Sequence, residues 1–175
     1  LVTPQVGQLV GHIQSSVSAM EALFVGLLDI SRLDAGMSRP VLGDHALAEL
    51  LHRVAASHAP EAEHKRLRLT VVPSRCAVRT DAVLLERVLA NLVSNAIRYT
   101  ERGGVLVGCR RRPGAIELQV WGTGIGIAPA QLPHVFDEFF QVGNPERDRS
   151  KGLGLGLAIV KRTLDLLGHP HTLRS

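Results

Sequence analysis

Two glycine-rich clusters in the second half of the chain have the spacing of phosphate-binding loops. The first follows a predicted strand and the second precedes a predicted helix; they contain Gly122, Gly124 and Gly126, and Gly152, Gly154 and Gly156. Glycine lets backbone N–H groups approach a phosphate closely, and a helix N-terminus favours an anion. Neither cluster is specific alone, because the first has no second βαβ unit after it and the second lacks the Gly-Lys-Ser/Thr ending of a P-loop. A phosphate ligand and a scaffold of tight turns both remain open.

Two asparagines share one face of the helix that is predicted before these loops. Asn91 and Asn95 are four residues apart, and Arg98 lies one turn beyond Asn95. Asparagine is a poor residue for a helix interior, so the pair indicates either a functional role or a solvated face with a capping asparagine. An amide oxygen is a hard ligand that suits Mg²⁺, and a nearby arginine suits phosphate. The functional interpretation is a site for Mg²⁺ and a phosphate group.

The composition excludes several other classes of ligand. Aromatic residues make up only 3% of the 175 residues, and the net charge of +4 includes one dense basic run, residues 110–112. Base stacking needs aromatic side chains, so we expect no nucleic-acid partner. His52, His58 and His64 are six residues apart. This spacing does not align them on one helix face, so no zinc site is predicted.

The apolar runs and the cysteines indicate a soluble, cytoplasmic location. No apolar run reaches the 18 residues of a membrane span, and no signal peptide opens the chain. Cys76 and Cys109 lie far apart in the sequence without CxxC spacing. They therefore predict free thiols in a reducing compartment rather than a disulfide. We expect no membrane contact by this chain.

The elements that position these residues form an α+β pattern. Periodicity predicts helices over residues 44–65, 81–98, 129–135 and 153–167, and strands over 67–72, 76–79, 105–111, 115–121 and 171–174. Asp44 and Asp81 are the expected N-caps, and Pro113 and Gly114 form the turn of a hairpin. Helices and strands do not alternate as βαβ units. This order predicts a two-layer sandwich with helices on one face of a mixed sheet.

A long helix with an apolar seam precedes this domain. Pro4 lies in its first turn and Gly36 follows its end. The seam has the 4-3-4-3 spacing of a helix packed in a bundle, and it consists of Val6, Val10, Ile13, Val17, Met20, Phe24 and Leu27. No second seam follows in the sequence. We expect the helix to pair with a second copy of itself or to fold back onto the domain.

In this order, the segments resemble the sequence boxes of sensor histidine kinases of two-component systems. These kinases belong to the wider GHKL ATP-binding superfamily, with heat-shock chaperones, type II topoisomerases and mismatch-repair ATPases. Residues 91–100 resemble the N box, 121–127 the first glycine box, 136–141 the F box, and 152–156 the second glycine box. Residues 27–36 resemble the end of the second dimerisation helix. The resemblance implies a two-layer α/β sandwich of the histidine-kinase type, preceded by one bundle helix.

The resemblance also implies domain boundaries and roles for single residues. Residues 1–37 would be the C-terminal helix of the dimerisation domain, and residues 38–175 the ATP-binding catalytic domain without its final hairpin. Asn95 would hold the Mg²⁺ of ATP with Asn91 beside it, Arg98 would approach the phosphates, and Tyr99 would line the adenine pocket. The other implied nucleotide-site residues lie in the glycine loops, the F box and a lid over residues 141–151: Gly122, Gly124, Gly126, Phe136, Phe139, Lys151, Gly152, Gly154 and Gly156.

Several positions depart from the family pattern. The phospho-accepting histidine and its H box are absent, and His12 has no H-box neighbours. Gly122 stands where the family has an aspartate that accepts the adenine amino group; the substitution is either natural or introduced. Asn91 stands where the ATP-hydrolysing relatives have a general-base glutamate, and an amide cannot take a proton from water. The resemblance therefore implies phosphoryl transfer to a protein rather than hydrolysis.

The sequence thus predicts the ATP-binding, phosphoryl-donor region of a protein-histidine kinase. The implied cofactors are ATP and Mg²⁺, and the implied partners are a response regulator and a second copy of the helix over residues 4–36. Without the acceptor helix, this chain should not phosphorylate itself. The alternative is a nucleotide-blind interaction module that keeps the glycine boxes as scaffold. An ATPase of the wider superfamily is a third interpretation, which Asn91 disfavours.

Overall fold

The computed structural model describes residues 4–142 and 153–175. The helices are α1 (Pro4–Asp34), α2 (Leu47–His64), α3 (Ala82–Arg98) and α4 (Gly156–Leu167), with a 3₁₀ turn at Leu132–His134. The strands are β1 (Gly43–Ala46), β2 (Arg68–Val71), β3 (Ala77–Thr80), β4 (Gly104–Arg112) and β5 (Ala115–Gly122). None of the described helices combines the length and apolar content that crossing a bilayer requires.

The strands form two small sheets with mixed pairing. β4 is the centre of the larger sheet, where it runs parallel to β2 and antiparallel to β5. The predicted hairpin is confirmed, with Val107 opposite Val120 in the register of β4 and β5. β1 and β3 form a separate antiparallel pair. Helices and strands are therefore arranged as the α+β class that the element order predicts.

One face of the larger sheet is buried against the helices and the other face is exposed. Side chains alternate along β4, so that Val105 and Val107 are buried whereas Leu106 is exposed. The buried cluster joins them to α2 and α3 through Leu47, Leu50, Leu51, Val54, Leu85, Leu89, Val93 and Ile97. Each such side chain contributes about 1.5–3 kcal/mol when it is removed from water. This core fixes α3, which carries the two asparagines, over the sheet.

The prediction for the start of the second helix is wrong. Asp44 lies in β1, opposite Arg79 of β3, and does not cap a helix. α2 begins at Leu47, and its N-cap residue Ala46 makes no side-chain capping hydrogen bond. The backbone of residues 43–46 instead pairs with β3 in an antiparallel sheet. Tertiary pairing therefore overrides the local capping preference of the aspartate.

Three further element predictions are corrected. The helix expected over 129–135 is only the 3₁₀ turn Leu132–His134, which contains Pro133. The last helix begins at Gly156 rather than at residue 153. Residues 171–174 form no strand. They lie after α4 without a partner strand among the described residues, so alternation alone does not make a strand there.

α1 contacts the rest of the chain through a face that is not the predicted seam. Gly26 is close to α4, since a Cβ at Gly26 would lie 3.0 Å from Cδ1 of Leu155. Ile30 is buried in a small cluster with Leu155 and Ile159. The seam residues are instead exposed by 44–64%: Val6, Val10, Ile13, Val17, Met20, Phe24 and Leu27. The side chain of His12, on the same helix, lies outside the described part of the structure.

Asp81 fixes the start of α3, as the sequence predicts. Its Oδ1 accepts the N–H of Leu84 at 3.0 Å, and its Oδ2 accepts the N–H of Val41 at 2.8 Å. Burial alone raises the pKa of the Asp81 carboxyl, but the backbone hydrogen bonds from Leu84, Val41 and Val83 outweigh it and the pKa is lowered. The carboxylate thus joins the loop before β1 to the first turn of α3.

We expect Asp81→Ala to lower the free energy of unfolding by about 1–2 kcal/mol at neutral pH, because two acceptor bonds are lost. The folded-state pKa lies below the unfolded value of about 3.9, so this stabilisation is present above that value and is lost as pH falls through the folded pKa. Urea unfolding across pH measures it, and the difference from wild type should shrink in acid. Asp44→Ala is the control, since its pair with Arg79 is exposed and 3.9 Å long. A difference that is constant with pH would contradict the role of the carboxylate.

Candidate functional site

A cavity of about 240 Å³ lies between α3, the end of β5 and the segment that follows β5. Five of the residues predicted to bind nucleotide line it: Asn95, Tyr99, Gly122, Gly124 and Gly126. Most of the other lining side chains are apolar, among them Leu92, Ala96, Val120, Ile125, Ile127, Val135, Phe140 and Leu157. A mostly apolar cavity with a few polar groups at one side is typical of a small-molecule site.

The floor of the cavity depends on a close backbone approach at Gly124. The N–H of Ile125 donates to the carbonyl oxygen of Tyr99 at 3.1 Å, which holds the loop against the end of α3. A Cβ at Gly124 would overlap that carbonyl oxygen and lie 2.9 Å from its carbon. Only glycine fits this position without a shift of the backbone.

Gly122 differs from Gly124 because it has room for a side chain. A Cβ at Gly122 would lie 3.4 Å from Oγ1 of Thr100 and 3.5 Å from Cβ of Ala96, which are ordinary contact distances. Both neighbours line the cavity, Ala96 on α3 and Thr100 just after its end. A side chain at position 122 would therefore point into the cavity, and its absence leaves this part of the wall without a carboxylate.

The asparagine face of α3 meets the first turn of α4. A Cβ at Gly156 would lie 3.1 Å from Oδ1 of Asn91 and 3.6 Å from Nδ2 of Asn95. Nδ2 of Asn91 donates to the carbonyl oxygen of Arg87 at 3.0 Å, so its Oδ1 is left to face α4. The first N–H groups of a helix have no partner within it and attract anions. The amide oxygen of Asn91, which can bind a cation, thus lies beside N–H groups that can bind an anion.

The available ligands for a metal ion at this site are amide oxygens. Within the two described segments, His, Cys, Asp and Glu side chains form no cluster that would hold a metal. Mg²⁺ is commonly held by one or two protein oxygens together with substrate phosphates and waters. Oδ1 of Asn91 and the amide group of Asn95, beside the start of α4, fit this type of site and not an all-protein cage.

The second glycine cluster holds the segment of residues 136–140 in place. A Cβ at Gly154 would lie 2.7 Å from the carbonyl carbon of Phe139 and 2.8 Å from the oxygen of Phe140, and Gly154 has φ +72°. The N–H of Phe139 donates to the Gly154 oxygen at 3.0 Å. This docking places Phe140 at the cavity wall.

Other predicted residues are found outside the cavity. Arg98 is exposed on α3 and does not line it. Phe136 packs its ring edge-on against His171 at 5.4 Å between centroids, and Phe139 is 54% exposed with a positive φ of 61°. Lys151 and Gly152 lie outside the described residues.

Phe140 and Ser175 are among the cavity residues that the sequence did not predict. Phe140 lines the cavity, whereas Phe139, which has a positive φ, does not. Ser175 also lines it, and its Oγ accepts the N–H of Ile127 at 2.6 Å. Phe140 was within the recognised segment, whereas nothing in the local sequence around Ser175 indicates this long-range bond.

A second depression, of about 400 Å³, lies between α4 and residues 136–138. Two of its charged side chains, Arg162 and Glu138, form a structural pair. Arg162 donates to Oδ1 of Asp34 at 2.8 Å and to Oε1 of Glu138 at 2.6 Å. The hydrogen bond to Asp34 is the main reason that the pKa of Arg162 is raised. We interpret this region as a structural contact that connects α1, α4 and the Phe136–Phe140 segment.

A second ion pair ties α1 to the asparagine face. Arg87 of α3 pairs with Asp29 of α1. Burial lowers the pKa of Arg87. The backbone oxygen of Arg87 also accepts the side chain of Asn91. α1 is therefore connected to the site through α3 as well as through α4.

Comparison with known proteins gives a consistent result. Residues 80–175 match the sequence model of the histidine kinase-, DNA gyrase B- and HSP90-like ATPases. The sensor-like histidine kinase SenX3 of Mycobacterium tuberculosis is 40% identical over 151 residues, which cover 85% of this chain and 36% of SenX3.

Solved structures of histidine kinases share the fold. Full-length ShkA in complex with AMPPNP aligns with a TM-score of 0.78 and 28% identity, over 96% of this chain and 35% of ShkA. The mycobacterial sensor histidine kinase MprB aligns with a TM-score of 0.61 and 28% identity, over 73% of this chain and 81% of that structure. The chain thus spans about a third of the length of SenX3 and ShkA.

The two glycines of the first cluster provide a matched pair of variants. We expect Gly124→Ala to lower the free energy of unfolding by about 1–3 kcal/mol, because the new methyl group collides with the backbone of Tyr99. Gly122→Ala should change it by less than about 0.5 kcal/mol, since its Cβ has room. Denaturant unfolding of both proteins measures the difference. Equal effects of the two variants would show that the loop is not held against α3.

Proposed function

Because this chain belongs to the family of histidine kinase-, DNA gyrase B- and HSP90-like ATPases, we propose that it is the ATP-binding, phosphoryl-donor region of a two-component sensor histidine kinase. The observation that carries the proposal is the contact between the asparagine face of α3 and the first turn of α4, directly beside an apolar cavity. The apolar cavity suits a nucleobase, and the contact between α3 and α4 suits phosphates with Mg²⁺. The similarity to ShkA, whose structure contains AMPPNP, supports an adenine nucleotide as the ligand.

In this proposal, each part of the site binds one part of Mg-ATP. The apolar cavity beside Tyr99 and Gly124 encloses the adenine base. The oxygens of Asn95 and Asn91 hold Mg²⁺, which when bound neutralises charge on the phosphates. The N–H groups at the start of α4 and the Arg98 side chain bind phosphate oxygens. Phosphoryl transfer depends mainly on such positioning and charge stabilisation, which supports a donor role for this site.

The amide of Asn91 favours transfer over hydrolysis. A hydrolytic site needs a group that takes a proton from the attacking water, and an amide has no such basicity. The contacts of Asn91 support a holding role, since its Nδ2 donates to Arg87 while Oδ1 faces α4. The nucleophile of the proposed reaction is a histidine on a separate acceptor helix, from which a response regulator then receives the phosphoryl group.

We also propose two domains within the chain, which would act in the cytoplasm, where ATP is available. Residues 1–37 form the C-terminal helix of a dimerisation domain, and residues 38–175 form the catalytic domain. The exposed seam supports this division, because its side chains lie on a different face from the contact of α1 with α4. Seven exposed apolar side chains in register are typical of a helix that packs against another helix.

A nucleotide-blind interaction module is the second candidate, and Gly122 is the observation that favours it. None of the carboxylates in the described part of the chain lines the cavity. The adenine amino group would therefore lack the charged acceptor that the family pattern has at this position. In that case the glycine loops serve only as scaffold and the seam of α1 is the functional surface.

Isothermal titration with Mg-ATP distinguishes the two candidates. We expect Gly122→Asp to bind Mg-ATP more tightly than wild type by about 1.5–3 kcal/mol, roughly tenfold to more than a hundredfold, because it adds a charged acceptor inside the cavity. Gly122→Ala is the control, since it adds the same Cβ without the acceptor. Binding by the Asp variant with weaker binding by wild type supports the donor site. Absence of binding by all three proteins supports the interaction module.

We expect the chain to self-associate through the α1 seam. Val17→Glu places a charge in the middle of the seam and should shift the protein towards monomer, because burying an unpaired carboxylate is costly. Val83→Glu is the matched control: Val83 is an exposed valine on α3, away from the seam. Light scattering over a concentration series measures both. A wild-type chain that remains monomeric at all concentrations would contradict the proposed dimerisation surface.

A further inference from the structure

Two thiols lie together towards the hairpin end of β4, away from the nucleotide cavity. Cys109 is on the inward face of β4, opposite Leu118, whereas the cavity is at the opposite end of the strand pair, near Gly122. Cys76 directly precedes β3, and both cysteines are free, partly buried and packed against the main core. The proposed nucleotide function uses neither of them.

A serine hydroxyl connects the two cysteines. Oγ of Ser74 accepts the backbone N–H of Cys76 at 3.0 Å and is hydrogen-bonded to Sγ of Cys109 at 3.0 Å. The carbonyl oxygen of Cys76 accepts the N–H of Leu47, the first residue of α2, at 2.9 Å. The backbone of Cys76 is thus held through both its N–H and its carbonyl group, and the Cys76 side chain lies over β4.

An arginine next to Cys76 favours the thiolate. Nε of Arg111 donates to Sγ of Cys76 at 3.4 Å. This bond is the main reason that the pKa of Cys76 is lowered, and hydrogen bonds with Ser74 and Cys109 lower it further. The thiolate is the nucleophilic form of cysteine, so a neighbouring arginine makes a partly exposed thiol more reactive.

We propose that Cys76 and Cys109 form an oxidisable dithiol that reacts with hydroperoxides and closes to an intramolecular disulfide. The Cys76 thiolate attacks one peroxide oxygen, the O–O bond breaks, and Cys76 becomes a sulfenic acid while hydroxide or alkoxide leaves. The Cys109 sulfur then attacks the sulfenic sulfur, and the S–O bond breaks with loss of water. In total, two thiols and hydrogen peroxide give one disulfide and two waters. The proposal is independent of nucleotide binding.

The disulfide would connect the two sheets. It joins the loop before β3, in the two-stranded sheet, to the central strand of the three-stranded sheet. The closed loop contains α3, which carries the asparagines of the candidate site. Because a crosslink restricts the unfolded chain, the oxidised protein should melt at a higher temperature than the reduced protein.

Mass spectrometry after treatment with hydrogen peroxide tests the proposal on the whole chain at low protein concentration. The chain is first reduced, then oxidised, and its free thiols are capped with iodoacetamide. We expect the loss of two hydrogens, a Cys76–Cys109 crosslinked peptide, protection of both thiols from capping, and reversal by dithiothreitol. Two thiols that stay fully accessible to iodoacetamide, or oxidation that gives only crosslinks between chains, would overturn the proposal.

Variants then test the roles of the two thiols and of the arginine. Cys109→Ser should stop at the Cys76 sulfenic acid, which dimedone traps, whereas Cys76→Ser should give no trapped product. Arg111→Gln should slow alkylation of Cys76 several-fold. Arg110→Gln is the matched control, because Arg110 is the neighbouring arginine on the opposite, outward face of β4. Equal rates for the two arginine variants, or dimedone trapping on Cys109 alone, would contradict the assigned geometry.

Discussion

The candidate site depends on two backbone approaches that are too close for any side chain. At Gly124 the loop after β5 lies on the carbonyl group of Tyr99, and at Gly154 the segment before α4 lies on the backbone of Phe139 and Phe140. The first approach closes one wall of the cavity and the second brings Phe140 to another wall. A methyl group at either position would push the two segments apart and displace the part of the cavity wall that they form.

The parts of the fold that were predicted correctly are those with local causes. The Asp81 cap, the Pro113–Gly114 hairpin and the alternation along β4 each depend on a few neighbouring residues, and the structure confirms them. The failures have non-local causes. Asp44 was expected to cap a helix, but its segment is taken up by pairing with β3, which lies more than thirty residues away.

The same distinction applies to the site. Spacing pointed to Asn95 and the first glycine cluster, and the family resemblance pointed to Tyr99; all of them line one cavity. Phe139 was expected at the site from the family resemblance, and the local sequence does not distinguish it from Phe140. The difference arises from the positive φ at Phe139 and from its hydrogen bond to Gly154, a residue beyond the undescribed segment 143–152. The role of Ser175 likewise depends on a hydrogen bond to Ile127 across 48 residues.

The two faces of α1 have a geometric consequence for any movement of that helix. Ile30 packs against α4, whereas Phe24 and Leu27 of the seam are exposed; at about 100° per residue, Ile30 lies roughly 60° around the helix axis from Leu27 and roughly 120° from Phe24. A partner on the seam and α4 would therefore contact different sides of α1 at the same time. The Asp29–Arg87 and Asp34–Arg162 ion pairs oppose rotation of α1 about its own axis. Rotation of α1 by a partner would therefore act on Arg87 of α3, whose carbonyl oxygen accepts the Asn91 side chain, and on Arg162 of α4, which pairs with Glu138, so that α3 and α4 would be displaced together.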